Sequence, residues 1–149
     1  MSVRPIPFLG LLALCGCMPS PQSAVGFRLP DGDPDRGQAA FVALQCHGCH
    51  VVEGMDLEFT GTGAVRVELG GQTSRVRTYG ELVTSIINPS HRLAPGYDPA
   101  YVTTGGESIM TLANINAVMT VQQLIDVVAF LQSRYDVAPP SEFSEFMPP

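Results

Sequence analysis

The most informative absence from this sequence of 149 residues is lysine. All 8 basic side chains are arginines, and 14 acidic side chains give a formal net charge of -6. A chain with this charge is a poor nucleic-acid binder, because the phosphate backbone repels it. The same charge suits a positively charged protein partner, or serves solubility alone. A chain of this length is expected to form a single domain.

Long apolar runs are also scarce. The only candidate, Ile6 to Leu14, is too short to span a bilayer as a mature helix, and it follows Arg4, as in an export signal. It ends in Leu14-Cys15-Gly16-Cys17, which resembles the lipobox of bacterial lipoproteins. The resemblance implies that the chain is cleaved after residue 16 and acylated on Cys17. Ordinary signal cleavage, with two incidental cysteines, is the alternative.

The sequence therefore predicts four segments: a signal peptide over 1–16, a tether over 17–32, one domain over 33–136 and a tail over 137–149. The tether mixes proline, serine and glycine without a helical or strand period. The tail is rich in proline and acidic residues, which predicts disorder. Apart from the cysteines of the leader, only Cys46 and Cys49 are present, so a disulfide scaffold is excluded.

These two cysteines belong to the stretch Cys46-His47-Gly48-Cys49-His50, the C-x-x-C-H pattern of haem attachment. Two thiols at this spacing can add to the two vinyl groups of one haem, and the next histidine can ligate the iron. We predict covalent haem c on Cys46 and Cys49, with His50 as the proximal ligand and His47 directed away from the iron.

Two other kinds of site share the C-x-x-C spacing. A structural zinc site needs four ligands, usually from a second cysteine or histidine pair, and the sequence offers none. A thioredoxin-like site follows a strand and starts a helix, whereas this motif ends a helical pattern.

Three amphipathic helices are predicted from apolar residues at helical spacing. Asp33 and Pro34 can start the first. Thr78 with Glu81, and Thr120 with Gln123, form capping boxes for the other two. The predicted helices run from Asp33 to about Cys46, from Tyr79 to about Asn88 and from Val121 to about Tyr135.

The first and last helices resemble those of class I c-type cytochromes. Gly37 and Phe41 lie on one face shortly before the C-x-x-C-H motif, and residues 124–131 resemble the C-terminal helix of that family. The resemblance covers residues 33–135. It implies an all-α fold of about three main helices around one covalently bound haem, with the last helix crossing the first near Gly37.

The region between residues 51 and 77 matches this family least. Val65, Val67 and Leu69 alternate with charged residues before Gly70-Gly71, which predicts a short β-hairpin insert. The family carries a proline here, whose carbonyl accepts the Nδ1 proton of the proximal histidine. Val67 has that place in this sequence, so the resemblance implies that its carbonyl fixes the imidazole.

The second axial ligand is expected from a methionine, because histidine and methionine together raise the potential of the iron. Met55 is too close to the proximal motif to reach the other haem face, and Met147 lies in the tail. Met110 lies in the loop before the last helix, where the family places its ligand. We predict Met110. The alternatives are Met119, which can also form a hydrophobic staple with the last helix, and His91 or no ligand.

The resemblance implies one-electron transfer, with this chain as a shuttle or as a subunit of a respiratory or other redox complex. The alternative is a haem enzyme or a gas or redox sensor with an open distal site. No distal acid–base pair is obvious, which favours transfer. We expect a lipid-anchored protein on the extracytoplasmic, periplasmic side of a membrane. The absence of lysine excludes the lysine-ring docking known for mitochondrial cytochrome c.

Overall fold

The computed structural model describes residue 27 and residues 29–58, 65–73, 77–110 and 115–137. The predicted signal peptide, Cys17 and Met147 lie outside these residues. The helices are α1 (Pro34–Ala43), α2 (Tyr79–Ile87), α3 (Pro99–Val102), α4 (Ile115–Val118) and α5 (Val121–Gln132). Short 3-10 turns occur at Cys46–Gly48 and Pro89–His91. The strands are β1 (His50–Val52), β2 (Val67–Leu69), β3 (Gly71–Thr73), β4 (Thr103–Thr104), β5 (Glu107–Ser108) and β6 (Tyr135–Val137).

The prediction of a mainly helical fold with three main helices is confirmed, because α1, α2 and α5 are the long elements. Both predicted capping boxes are present, at the starts of α2 and α5. The Asp33 carboxylate caps α1 by accepting a hydrogen bond from the Arg36 main-chain N–H at 2.9 Å. These caps satisfy main-chain donors that the first helical turn leaves without partners.

Two predicted helix ends were wrong by three residues. Helix α1 ends at Ala43 rather than near Cys46, because Gln45 takes a left-handed conformation (φ 59°) that redirects the chain into the 3-10 turn. Helix α5 ends at Gln132 rather than at Tyr135. Tyr135 instead begins β6, which pairs in parallel with β3.

Helices α1 and α5 cross at Gly37. A Cβ atom on Gly37 would collide with the main-chain carbonyl of Asp126, so only glycine allows this approach. Further along the contact, the rings of Phe41 and Phe130 lie 5.6 Å apart at 60°. The expected crossing of the last helix over Gly37 is therefore present. The largest fully buried side chains are those two phenylalanines with Val52 and Val128.

A buried carboxylate joins the two helices at one end of this crossing. The Asp126 side chain is buried, and it accepts hydrogen bonds from the Asp33 main-chain N–H (2.8 Å) and from Arg36 Nε (3.0 Å). Arg36 Nη2 and Gln122 Nε2 donate two more, at 3.2 Å and 3.0 Å. Asp126 thus ties the start of α1 to α5. Sequence reasoning assigned no role to Asp126.

The predicted β-hairpin between residues 51 and 77 was wrong. Strand β2 pairs in parallel with β1, with His50 opposite Val67, and β3 pairs with β6. Only Gly70 separates β2 from β3, and Gly70 and Gly71 both have positive φ, so the chain turns away without a two-residue hairpin loop. A hairpin does occur at β4 and β5, joined by Gly105-Gly106.

The last residues of the predicted tether contact the domain. A Cβ atom on Gly32 would collide with the Ile125 carbonyl of α5, so the chain already lies against the helix there. Within the described ranges, no helix combines the length and the apolar character needed to cross a bilayer.

Candidate functional site

A cleft of about 580 Å³ contains most of the predicted site residues. Cys46, Cys49, His50 and Met110 all line it. Apolar side chains surround them, among them Leu44, Leu69, Leu82, Val102 and Ile115. A second cleft, of about 520 Å³ beside Gly32 and α5, contains none of the predicted residues. The fold therefore gathers residues from several separate stretches of the chain, between Leu44 and Tyr135, around one cavity.

His50 is positioned by the pairing of β1 with β2. The Val67 main-chain N–H donates to the Cys49 carbonyl at 2.9 Å, which places Val67 beside the histidine. Burial lowers the pKa of the imidazole, and a main-chain interaction with Val67 partly opposes this. Nδ1 is buried and has no partner of full hydrogen-bond geometry in the described part of the chain. Burial thus favours the neutral imidazole, which is the form that ligates metals.

The two cysteines are presented by the 3-10 turn that follows α1. Cys46 is half-buried and Cys49 is exposed, and both are free thiols. Burial raises the pKa of the Cys46 thiol to about 11. The Gln45 carbonyl accepts the Gly48 N–H at 3.0 Å, and the Cys46 carbonyl accepts the Cys49 N–H at 3.2 Å. This tight turn brings both sulfur-bearing residues to the same cleft.

The other sites considered for C-x-x-C find no support. Among the described residues, no group of three or more histidine, cysteine, aspartate or glutamate side chains could hold a metal ion. The motif lies after α1 and before β1, whereas a thioredoxin-like motif begins a helix after a strand. His47 is not among the residues that line the cleft, so its ring is directed elsewhere.

The methionines divide between the cleft and the core. Met110 lines the cleft, and its main-chain N–H donates to Ser108 Oγ at 3.2 Å. The Ser90 hydroxyl accepts from the Ser108 N–H at 3.0 Å, which ties this stretch to the turn at Pro89–His91. Met55 and Met119 pack against the hydrophobic core instead.

His91 is exposed and does not line the cleft. Its Nδ1 lies 2.7 Å from the Asn88 carbonyl, to which it donates a hydrogen bond. This is the geometry of a loop histidine that stabilises its own 3-10 turn.

Sequence reasoning missed two arginines in this cleft, Arg77 and Arg92. Arg92 pairs with Glu81, with Nη2 3.3 Å from Oε1. The Nε atom of Arg77 is buried without a hydrogen-bond partner among the described residues. No short motif contains either arginine, so only the fold brings them to the predicted site.

The residues of the cleft fit the predicted cofactor. Two free thiols, a half-buried imidazole and a thioether line one largely apolar cavity. Thiols can form thioethers with haem vinyl groups, and imidazole and thioether are the axial ligands of c-type haem iron.

Comparison with known families agrees with this arrangement. The family model described as cytochrome c matches residues 34–134, which is more than half of the chain. No curated protein and no solved structure gives a significant match.

Proposed function

The chain belongs to the cytochrome c family, and from this premise we propose that it carries single electrons as a membrane-anchored monohaem protein. Members of this family generally carry electrons and bind haem c covalently, and Cys46 and Cys49 fit its C-x-x-C-H motif. The proposal includes both a free shuttle and a subunit of a larger redox complex. The observation that carries it is the cleft that collects Cys46, Cys49, His50 and Met110.

Each residue of the cleft has a separate role in this proposal. Haem c, when bound, supplies a ferric/ferrous couple that exchanges one electron. Cys46 and Cys49 hold it covalently, and His50 provides the proximal nitrogen. Because His50 lies in β1 opposite Val67, the strand pairing fixes the main chain from which the imidazole extends. Apolar residues such as Leu82 and Val102 exclude water and lower the local dielectric, which tunes the potential.

We assign the distal position to Met110. It lines the same cleft as His50, while Met55 and Met119 are occupied in core packing and His91 is exposed. A soft thioether sulfur stabilises ferrous iron and raises the potential. A filled distal position suits electron transfer, because it prevents binding of peroxide or gases.

The visible spectrum of the purified holoprotein tests this function. We expect a reduced-minus-oxidised spectrum of low-spin haem that carbon monoxide leaves unchanged. Extraction with acidic acetone should leave the haem on the polypeptide. A large carbon monoxide shift would instead favour the sensor or enzyme alternative, and release of free haem would remove Cys46 and Cys49 from their assigned role.

The membrane anchor rests on the leader sequence. Cys17 follows an apolar run in the order Leu14-Cys15-Gly16, as in a lipobox. One acyl chain binds membranes only marginally, so stable anchoring implies several chains on this cysteine. The domain would then lie on the extracytoplasmic side. Cys17→Ala should yield a soluble cytochrome or an unprocessed precursor, and mass spectrometry showing an unmodified mature N-terminus would reject the anchor.

The redox partner is expected to present a basic patch. The chain has a net charge of -6 and no lysine, so it supplies the acidic side of the encounter. Electrostatically steered association slows as salt rises. The second-order rate of electron transfer should therefore fall with ionic strength. A rate independent of salt would indicate apolar docking or permanent assembly in a complex.

A further inference from the structure

Two serine side chains in series connect the main chain of Met110 to the region where α2 ends. The Met110 N–H donates to Ser108 Oγ at 3.2 Å, and the Ser108 N–H donates to Ser90 Oγ at 3.0 Å. Both hydrogen bonds are partly shielded from solvent. Ser90 and Ser108 are 18 residues apart in the sequence, so the second bond joins two distant parts of the chain.

Ser90 lies on a turn that is itself attached to α2. The 3-10 turn Pro89–His91 begins two residues after α2 ends. Arg92, which directly follows the turn, pairs with Glu81 of α2 at 3.3 Å. Helix α2 also contributes side chains to the cleft wall. The Ser90 hydroxyl is therefore an acceptor with a fixed place relative to that wall.

The hairpin of β4 and β5 brings Ser108 to this acceptor. Thr103 lies opposite Ser108, and the Ile109 N–H donates to the Val102 carbonyl at 3.0 Å, so the pairing extends to the residue before Met110. Val102 is buried, and it lines the cleft together with Ser108, Ile109 and Met110. The main chain that carries the Met110 thioether is thus fixed at the edge of the cavity.

We infer that Ser90 and Ser108 are positioning residues that keep the Met110 thioether on the haem iron. When the thioether leaves the iron, the Met110 main chain moves away from the cleft, and the serine bonds oppose that movement. Because the two bonds act in series, loss of either one frees Met110 from α2. This role rests on the proposed function, because Met110 must be the distal ligand.

The size of the effect follows from the strength of one neutral hydrogen bond. Losing such a bond should raise the fraction of iron without the thioether by about threefold to tenfold. An added ligand binds the distal position only in that fraction, so its apparent dissociation constant falls by the same factor. Free imidazole is a suitable probe, because its neutral nitrogen ligates iron.

The test titrates the ferric holoprotein with imidazole and follows the charge-transfer band of thioether-bound ferric iron. Ser108→Ala removes the acceptor of the Met110 N–H and keeps its own N–H donor. Ser90→Ala removes the acceptor of the Ser108 N–H. Ser133→Ala is the control, because the Ser133 hydroxyl donates to the Phe130 carbonyl at 2.7 Å and Ser133 does not line the cleft.

Each single alanine variant at Ser90 or Ser108 should lower the apparent dissociation constant for imidazole by about threefold to tenfold. Ser133→Ala should change it by less than about twofold, because its lost bond stabilises the end of α5 alone. The double variant should bind imidazole less than about twofold more tightly than the stronger single variant, because the bonds act in series.

Unchanged imidazole affinity in Ser90→Ala and Ser108→Ala, with the thioether band present in the wild type, would overturn the inference and leave the proposed function standing. An equal gain in Ser133→Ala would overturn it as well, because a general loss of stability would then explain the change. A double variant with the product of the two single effects would rule out the series arrangement. A wild type without the thioether band would reject Met110 as the ligand, and the inference with it. If one alanine variant does not mature, the other decides the question.

Discussion

The crossing of α1 and α5 and the haem cleft are built in opposite ways. At the crossing, the Asp126 carboxylate accepts hydrogen bonds from the Asp33 main chain, Arg36 and Gln122. In the cleft, His50 Nδ1 and Arg77 Nε are both buried without partners among the described residues. The crossing satisfies its own buried polar groups. The cleft contains buried nitrogen atoms that the described residues leave without partners.

The secondary-structure elements of the crossing and of the cleft also differ in length. The crossing joins helices of 10 and 12 residues through close main-chain contact at Gly37. The Met110 side of the cleft is built from a 3-10 turn, a four-residue helix and a hairpin of two-residue strands between Pro89 and Met110. Such short pieces bury little area of their own. The comparison indicates that the crossing stabilises the chain, and that the cofactor organises the cleft side.

The largest effect on stability is expected from Gly37→Ala. The added methyl group would collide with the Asp126 carbonyl, so α1 and α5 must separate. Overpacking of this kind costs about 1–3 kcal/mol, and the upper end is expected because the obstacle is main chain. Denaturant unfolding of the holoprotein measures this loss.

Gly80→Ala is the control for that change. Gly80 lies in α2, and a Cβ atom there would meet nothing within 4 Å. Alanine should therefore leave stability unchanged or raise it by up to about 1 kcal/mol through helix propensity. A similar loss in both variants would contradict the proposed role of close approach at the crossing.

The second-largest effect on stability is expected at acidic pH. The hydrogen bond from Arg36 is the main cause that lowers the pKa of Asp126 from 3.8 to about 2; the Asp33 N–H and Gln122 add to it, and burial opposes it. A lowered folded pKa gives stability that is complete above the unfolded value and is lost as the pH falls. The free energy of unfolding should therefore decrease between pH 3.8 and about pH 2.

Asp126→Asn tests this assignment. The variant should be less stable than the wild type at neutral pH, and its unfolding free energy should depend less on pH below 4. Asp35→Asn changes an exposed carboxylate in the first turn of α1; it is the control and should keep the acid dependence. An unchanged pH profile in Asp126→Asn would show that other carboxylates cause the acid sensitivity.

The same contrast explains what sequence could predict. The caps at Asp33, Thr78 and Thr120 follow local rules in which a side chain satisfies donors two or three residues away, and all three are present. C-x-x-C-H is also local, because the cofactor itself dictates the spacing. The approach of α5 to Gly37 followed from resemblance to a family rather than from local rules.

The elements that sequence missed depend on distant partners. Strand β6 exists because β3 lies beside it, although 61 residues lie between Thr73 and Tyr135. Three-residue strands in parallel pairs give little periodic signal. Asp126 was hidden because an aspartate on an apolar helix is ordinarily exposed, and only the start of α1 supplies its partners. Arg77 was missed because residues far from it in the chain form the cleft that it lines.

The smallest change in stability is expected from Met119→Ala. Comparison with Met110→Ala gives the sharpest contrast between the two regions. Met119 packs against the core next to the N-cap of α5, and it is only partly buried, so Met119→Ala should cost about 1 kcal/mol. It should leave the visible spectrum and the potential unchanged, because its side chain packs against the core and does not line the cleft.

Met110→Ala should act on the cleft instead. Loss of the proposed thioether ligand should leave five-coordinate or water-ligated iron, so the variant should bind carbon monoxide and have a lower potential than the wild type. Optical titration with carbon monoxide and a redox titration measure both effects, and Met119→Ala serves as the matched control. If Met110→Ala keeps the wild-type potential and stays closed to carbon monoxide, Met110 is not the ligand. If Met119→Ala then opens the iron, the distal ligand comes from the core side, and the division between a self-sufficient crossing and a cofactor-dependent cleft fails at that point.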